Sequence, residues 1–287
     1  MRRRVPIAFC LSRNFLLLLK VALDSLLRTA SAKTYYEIYV IADDLTREDM
    51  ESLDAVAAPY SDACDIIYRP IDNSLFTDNG FDPKNGSFSY YYRLAIPSLV
   101  PEHSKILYSD ADVLFFGDLG KYYEMELGDK FLGVVQFDHP SYFTADYEFD
   151  TKYFASGNLM MNLDACREFG LLSQIAKVAQ KYQGQLRHHD QDCLNVMFYD
   201  QVEYLPLNFC VNHKLHQDID RGRYFDVHLR NYDKDAIWHA INHPDIVHYT
   251  GPKPDKASPS CTVWQKACAE AGLIDEYIES VIKERGK

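Results

Sequence analysis

The chain of 287 residues has no uninterrupted apolar run approaching the roughly 18 residues of a membrane span, so no transmembrane segment is predicted. It has no Cys-x-x-Cys pair, and its seven cysteines, at 10, 64, 166, 193, 210, 261 and 268, are odd in number. That pattern argues against a disulfide framework and a structural zinc site, and predicts reduced, mostly buried thiols in a cytoplasmic protein. Basic charge is also short. Lys plus Arg number 30 against 42 Asp plus Glu, a net charge of −12, so nothing draws the protein to a nucleic-acid backbone. Arg2-Arg3-Arg4 and the apolar residues after it imitate a signal peptide. Ser12-Arg13-Asn14 interrupts that run and no small-residue cleavage site follows, so none is predicted. Repeats and low-complexity tracts are missing too.

What is present is ordinary globular material, 47% hydrophobic and 25% charged, enough for a sizeable core. Residues 5–11 (VPIAFCL) read as a buried strand and residues 15–27 as a leucine-rich helix. Residues 36–42 and 64–69 read as further strands, with a capping-box-like helix start at Thr46-x-x-Asp49 between them. Alternating strands and helices predict an α/β fold with a mostly parallel sheet flanked by helices. Residues 90–99 suggest a helix that ends or kinks at Pro97. Strands are expected at 105–108, running on through 110–112 into VLFF, and at 131–137, 155–163, 202–205 and 245–249. From Ser260 the chain reads as helical, with Ile274, Tyr277, Ile278 and Val281 on one face.

Three clusters could carry chemistry. In Asp110-Ala111-Asp112, carboxylates two apart on an extended segment would share a side, where one cation can bridge them; as an isolated motif, two turn acids fit equally well. At the end of the late strand 245–249, His248 offers an imidazole, Gly251 close backbone approach and Lys253 a point charge. Two oxygens and a nitrogen suit Mn²⁺ better than Zn²⁺, with phosphate oxygens completing the shell, although a lone histidine is more often a core residue. His188-His189-Asp190-Gln191-Asp192 could bind hydroxyls or simply cap a helix. His213-x-x-His216 lacks a third ligand and is expected at the surface.

Taken in order, the stretches YYYRLAIPSLV, KILYSDADVLF, FLGVVQFDHP, YFASGNLMMNLDACR, HHDQDCLNV and IVHYTGPKP, with the first strand near Ala8 to Asn14, resemble glycosyltransferase family 8. These are retaining transferases of the Rossmann-like GT-A fold that include bacterial lipopolysaccharide galactosyl- and glucosyltransferases and glycogenin. The resemblance runs from residue 5 to about residue 255. It implies a GT-A domain over 1–255 and a helical tail over 256–287 packed on the same domain.

By that resemblance Asp110, Asp112 and His248 would hold Mn²⁺, with Mg²⁺ as the alternative, and Lys253 and the Gly251 backbone would contact the donor diphosphate. Arg93 and Ala111 would help hold the donor, and Ala8, Ser12 and Asn14 would lie toward the nucleoside. Asp138, Ala155, Ser156, Asp190 and Gln191 would surround the donor sugar, with Asp190 and Gln191 the catalytic candidates. Two departures stand out. Cys10-Leu11-Ser12-Arg13-Asn14-Phe15 lacks an acid common near the nucleoside, and Ala155-Ser156-Gly157 lacks an amide that would touch the hexose. The expected reaction moves glucose or galactose from a UDP-sugar to a glycan or glycolipid hydroxyl. A sugar-nucleotide hydrolase or nucleotidyltransferase, and a non-catalytic UDP-sugar binder, are the alternatives. Peripheral contact at the inner membrane face is the membrane association that the sequence leaves open.

Overall fold

In the computed structural model the residues described are 2–84, 86–136, 153–213, 215, 232–250, 253–255 and 261–285. β1 (Arg3–Cys10) is buried from Val5 onward because it lies inside the sheet with both faces covered, which is why its sequence is continuously apolar rather than alternating. Its side chains still alternate in destination. Val5, Ile7 and Phe9 pack into the layer that contains α1 (Leu16–Arg28), while Ala8 and Cys10 face the opposite layer.

β2 (Thr34–Ala42) and β3 (Cys64–Pro70) extend the sheet in parallel from β1, separated in sequence by α2 (Arg47–Ala57). The expected capping box is formed: Thr46 Oγ1 accepts from Asp49 N and the Asp49 carboxylate accepts from Thr46 N at 2.9 Å. On the other side lie β4 (Lys105–Ser109), β6 (Leu132–Val134), β7 (Asn158–Asn162) and β8 (Val202–Tyr204). The strand order is β3-β2-β1-β4-β7-β6-β8, and β7 alone runs against the other six. A second, three-stranded sheet comprises β5 (Val113–Phe115), β10 (Ile246–His248) and β9 (Val211–Asn212), in the order β5-β10-β9. The late strands expected at 131–137, 155–163 and 245–249 are thus present but shorter.

Helices α3 (Leu163–Phe169), α4 (Leu171–Lys181) and α5 (His189–Phe198) follow β7, and α6 (Lys234–Asn242) precedes β10. One expectation is corrected. Residues 89–95 form a 3₁₀ helix, and Pro97 sits in the first turn of the short helix Ile96–Leu99, where its missing N–H costs nothing, so it starts a helix rather than ending one. The helical tail is two helices, α7 (Thr262–Glu270) and α8 (Ile274–Arg285). Of the expected α8 face, Tyr277 packs edge-on against Trp264 with ring centroids 5.9 Å apart, whereas Ile274 and Ile278 are exposed.

The tail is tied to α1 by a fully buried Trp264 within the α1 core layer and by ion pairs, Lys20 to Glu276 and Arg28 to Glu270, each at 2.8 Å. Among the described residues no helix is long and apolar enough to cross a membrane. Trp264→Ala should lower the unfolding free energy by about 3–5 kcal/mol in chemical denaturation, while Glu270→Ala, which breaks the exposed pairs to Arg28 and Lys266, should cost less than about 1 kcal/mol.

Candidate active site

The site is assembled by backbone pairing. β4 delivers the chain to Ser109, residues 110–112 form a bend, and β5 then joins the small sheet, so the expected continuous strand is two strands in two sheets. The two aspartates therefore converge through a bend and not through strand alternation. β10 runs antiparallel to β5 with His248 opposite Val113, and Tyr249 N donates to Asp112 O at 2.9 Å, which sets His248 beside the bend. From the other side β7 pairs Asn158 with Ser109, and Asp110 N donates to Gly157 O at 2.7 Å.

One ligand atom from each of Asp110, Asp112 and His248 lies within 4.8 Å of the others. His248 Nε2 is 3.3 Å from Asp112 Oδ1 and 3.6 Å from Asp110 Oδ2, and Lys253 Nζ forms an ion pair with Asp112. Burial disfavours a charged imidazole, but the Asp112 charge and hydrogen bond outweigh it and push the His248 pKa up to about 10. Burial opposes the Lys253 ammonium in the same way, and Asp112 again holds its pKa above the ordinary value. Asp112 itself, despite burial, is pulled well below the usual carboxylate range by His248 and Lys253. The buried Asp112 is thus met by two positive groups, and the half-buried Asp110 lies beside one of them. Two carboxylates and one imidazole fit a divalent cation of the Mn²⁺ or Mg²⁺ kind, which would replace the His248 proton as compensating charge.

A missing side chain keeps this arrangement open. A Cβ on Gly157 would overlap the His248 ring and stand 2.9 Å from Asp110 Oδ2. Arg93, from the 3₁₀ helix, completes the wall: Nη2 donates to Asp110 Oδ1 at 3.0 Å, Nη1 donates to Ser156 O at 2.5 Å, and Nε lies 3.1 Å from Asp190 Oδ2. Its guanidinium also lies 4.6 Å from the centre of the Tyr108 ring. Burial pushes the Asp190 carboxyl up, Arg93 pulls it down and Asp110 pushes it up again, leaving it at about 6. Gln191 is held in one orientation: Oε1 accepts from Ser156 N at 2.9 Å and Nε2 donates to Tyr153 OH at 3.0 Å. Asp192 accepts from the backbone N–H groups of Arg187 and His188, the residues that lead into α5, and no side chain caps the helix from its N-cap position. The polar cluster at 188–192 therefore divides, with Asp190 and Gln191 in the cleft and Asp192 holding the backbone that enters the helix.

Two cavities meet at Tyr90, Arg93 and Asp110. The larger, ≈ 170 Å³, is lined by Ala155, Ser156, Asp190, Gln191 and His248 among others. The smaller, ≈ 90 Å³, is lined by Ser12, Ala111, Asp112 and Lys253, with Cys10, Leu11 and Phe15. Two sequence-derived positions are corrected. Ala8 is fully buried in β1, in the core beneath the cleft, and the strand reaches the smaller cavity only at Cys10. Asn14 is exposed and lines neither cavity; its Oδ1 accepts from Ser12 Oγ at 2.5 Å. His213, expected at the surface, is half-buried, stacked on Tyr249 at 5.1 Å, and its backbone N donates to His248 O at 3.0 Å. Asp138, Gly251 and His216 lie outside the described residues.

Sequence reasoning missed Tyr90, Tyr108 and Gly157 as part of the site. Tyr90 and Tyr108 were hidden among 21 tyrosines, and Gly157 was named only as the last residue of Ala155-Ser156-Gly157, where the departure from the family pattern is at Ala155. Gly157→Ala should displace the His248 ring and weaken Mn²⁺ binding by at least about tenfold, the size typical of a misoriented metal ligand. The change is read as free Mn²⁺ by paramagnetic resonance, with the melting temperature as the control for folding.

The family model described as Glycosyl transferase family 8 matches residues 6–256. Among curated proteins, Glycosyltransferase GlyB of Streptococcus pneumoniae serotype 4 is 28% identical over 177 residues, covering 60% of this chain and 39% of that protein. The Escherichia coli Lipopolysaccharide 1,2-glucosyltransferase is 23% identical over 266 residues, covering 87% of this chain and 72% of that protein. Among solved structures, the bifunctional glycosyltransferase WbbM superposes with a TM-score of 0.80 at 18% identity, over 98% of this chain and 52% of WbbM. The galactosyltransferase LgtC, solved with donor and acceptor sugar analogues, superposes with a TM-score of 0.75 at 20% identity, over 93% of this chain and 95% of LgtC. The two structures share the fold, a GT-A arrangement with a mostly parallel seven-stranded sheet. The chain spans about 39% of GlyB and half of WbbM. With the family model matched over most of its length, the chain belongs to glycosyltransferase family 8.

Proposed function

We propose that the protein transfers a hexose, glucose or galactose, from a UDP-sugar to a hydroxyl of a glycan or glycolipid with retention of configuration, using Mn²⁺, for which Mg²⁺ can substitute. The observation that carries this reading is the convergence of Asp110, Asp112 and His248 at the junction of the two cavities. A nucleotide diphosphate lying across that junction would have its nucleoside toward Ser12 and its sugar toward Asp190 and Gln191. The relatives named as glycosyltransferases and the lipopolysaccharide glucosyltransferase support a sugar-nucleotide donor and a glycan acceptor.

When bound, a divalent cation neutralises charge that builds on the leaving diphosphate, an effect worth several kcal/mol in general. Asp110, Asp112 and His248 would hold it. Lys253, already drawn into the cleft by Asp112, adds a second positive charge on the leaving-group side. Arg93 keeps Asp110 and Asp190 apart while remaining cationic, because both carboxylates raise its pKa against the effect of burial. Gln191 presents a neutral amide whose orientation is fixed by Ser156 and Tyr153, suited to stabilising a positive anomeric centre and poor as a covalent nucleophile. Retention then favours front-face substitution, with the departing phosphate assisting deprotonation of the acceptor.

The deciding assay screens UDP-glucose and UDP-galactose with Mn²⁺ or chelator and reads UDP release with and without added glycans. Release that requires both Mn²⁺ and a glycan is expected. Release without any glycan would mark a hydrolase, and nucleotide binding without release a binder. Asp112→Asn should abolish metal-dependent turnover, a loss of at least about 10²-fold, with the fold intact by circular dichroism; unchanged turnover would remove the cation assignment. Gln191→Ala should lower kcat while leaving UDP affinity near wild type, and a pure loss of UDP binding would place Gln191 wrongly.

A further inference from the structure

A third cavity, ≈ 330 Å³, lies beside the sugar end of the cleft, and Lys84 and His189 line both it and the larger cavity of the active site. Its walls come from residues 80–84, from Tyr91 of the 3₁₀ helix, from the end of α4 and from the chain that leads into α5. Phe81 and Tyr91, each 4% exposed, form a ring wall with centroids 4.6 Å apart. The Tyr91 hydroxyl makes no hydrogen bond among the described residues, although a buried phenol normally finds a partner. Other polar groups are only half used. Gln183 Nε2 donates to Asp82 Oδ2 at 2.5 Å and Gln180 Nε2 donates to Asn79 O at 2.9 Å, which leaves both amide oxygens and the second Asp82 oxygen without a hydrogen bond among the described residues. His189 is the ridge between the two cavities. It alone among the described non-glycine residues has a positive φ, 37°, and its ring stands edge-on to Tyr91 at 6.3 Å. Backbone strain of this kind persists only where the surroundings impose it, and it collects at ligand sites.

We infer that this cavity is an acceptor subsite: it takes the neutral sugar residue next to the one that receives the hexose, with the Tyr91 hydroxyl, the Gln180 and Gln183 amides and Asp82 bonding its hydroxyls. The inference rests on the transferase reading above. A glycan whose reacting hydroxyl lies in the larger cavity must carry the rest of its chain out past that cavity's wall, and the Lys84–His189 ridge is the wall that the two cavities share. The chemistry selects a sugar. Hydroxyls donate and accept at once, so one sugar can serve a phenol, two amide oxygens and a carboxylate together. Phe81 and Tyr91 supply an apolar wall for the C–H face of its ring. A charged ligand is not selected, because Asp82 and Lys84 contribute one charge of each sign.

The test measures binding of methyl β-galactoside, methyl β-glucoside, lactose and cellobiose to the full chain by NMR titration with UDP and Mn²⁺ present, for wild type, Tyr91→Phe and Gln183→Trp. At least one disaccharide should bind about tenfold tighter than the matching monosaccharide, the gain expected from about two net hydrogen bonds. Tyr91→Phe should cut that disaccharide's affinity about 2–10-fold and leave the monosaccharide's unchanged. Its melting temperature should be at or above wild type, because the phenol gives up no hydrogen bond within the protein. Gln183→Trp, at an exposed position, should fill the cavity and erase the disaccharide advantage. Disaccharides that bind no better than monosaccharides would overturn the inference. So would an advantage that survives both variants, or an equal loss for mono- and disaccharide in Tyr91→Phe, which would place the hydroxyl at the first sugar. These titrations read glycan binding and not turnover, so a chain that releases no UDP in the assay above fails the transferase reading by a separate measurement.

Discussion

Two like-charged carboxylates sit side by side at the end of a buried strand, and the surrounding structure answers the cost of keeping them there. Neither Asp110 nor Asp112 can leave the cleft, because the backbone on both sides is locked into sheet pairing. Each is therefore met by cations. Arg93 reaches Asp110, Lys253 and His248 reach Asp112, and Asp190 shares Arg93 from the opposite wall. Removal of Arg93 would leave the buried Asp190 without its cation, whereas Asp112 has two.

The same constraint shapes the cleft. Arg93 and Asp110 form the ridge between the two cavities, so the electrostatic centre is also the steric divider. Glycine at 157 leaves room for the imidazole beside Asp110. The neutral amide of Gln191 is oriented by hydrogen bonds to Ser156 and Tyr153, while Asp192 is occupied at the helix start. A site with this many fixed partners has little freedom to reorganise, the property that electrostatic stabilisation of a charged reaction state demands.

Much of this could be read from the chain before its fold was known. The parallel sheet followed from strands alternating with helices, and the capping box at Thr46 and Asp49 from residue type alone, because such patterns act over a few residues. Asp110, Asp112 and His248 were legible as chemistry because acids at a strand end and an imidazole after an apolar run are costly placements. The local argument for the two aspartates nevertheless had the wrong geometry, since a bend and a change of sheet, not strand alternation, brings them together. Ala8 was placed two residues too deep in β1 for the cleft, because a strand's apolar pattern does not say how far along it the cleft begins.

The sequence by itself determined the element types, the acidic charge and the set of residues able to hold a cation, since these depend on side-chain chemistry and short-range backbone preference. Only the tertiary structure decided that β10 pairs with β5, that Gly157 leaves room for the His248 ring, and that Arg93 stands between Asp110 and Asp190. Those contacts join segments far apart in the chain, and their geometry is set by strand register and packing between sheets, which no local pattern encodes.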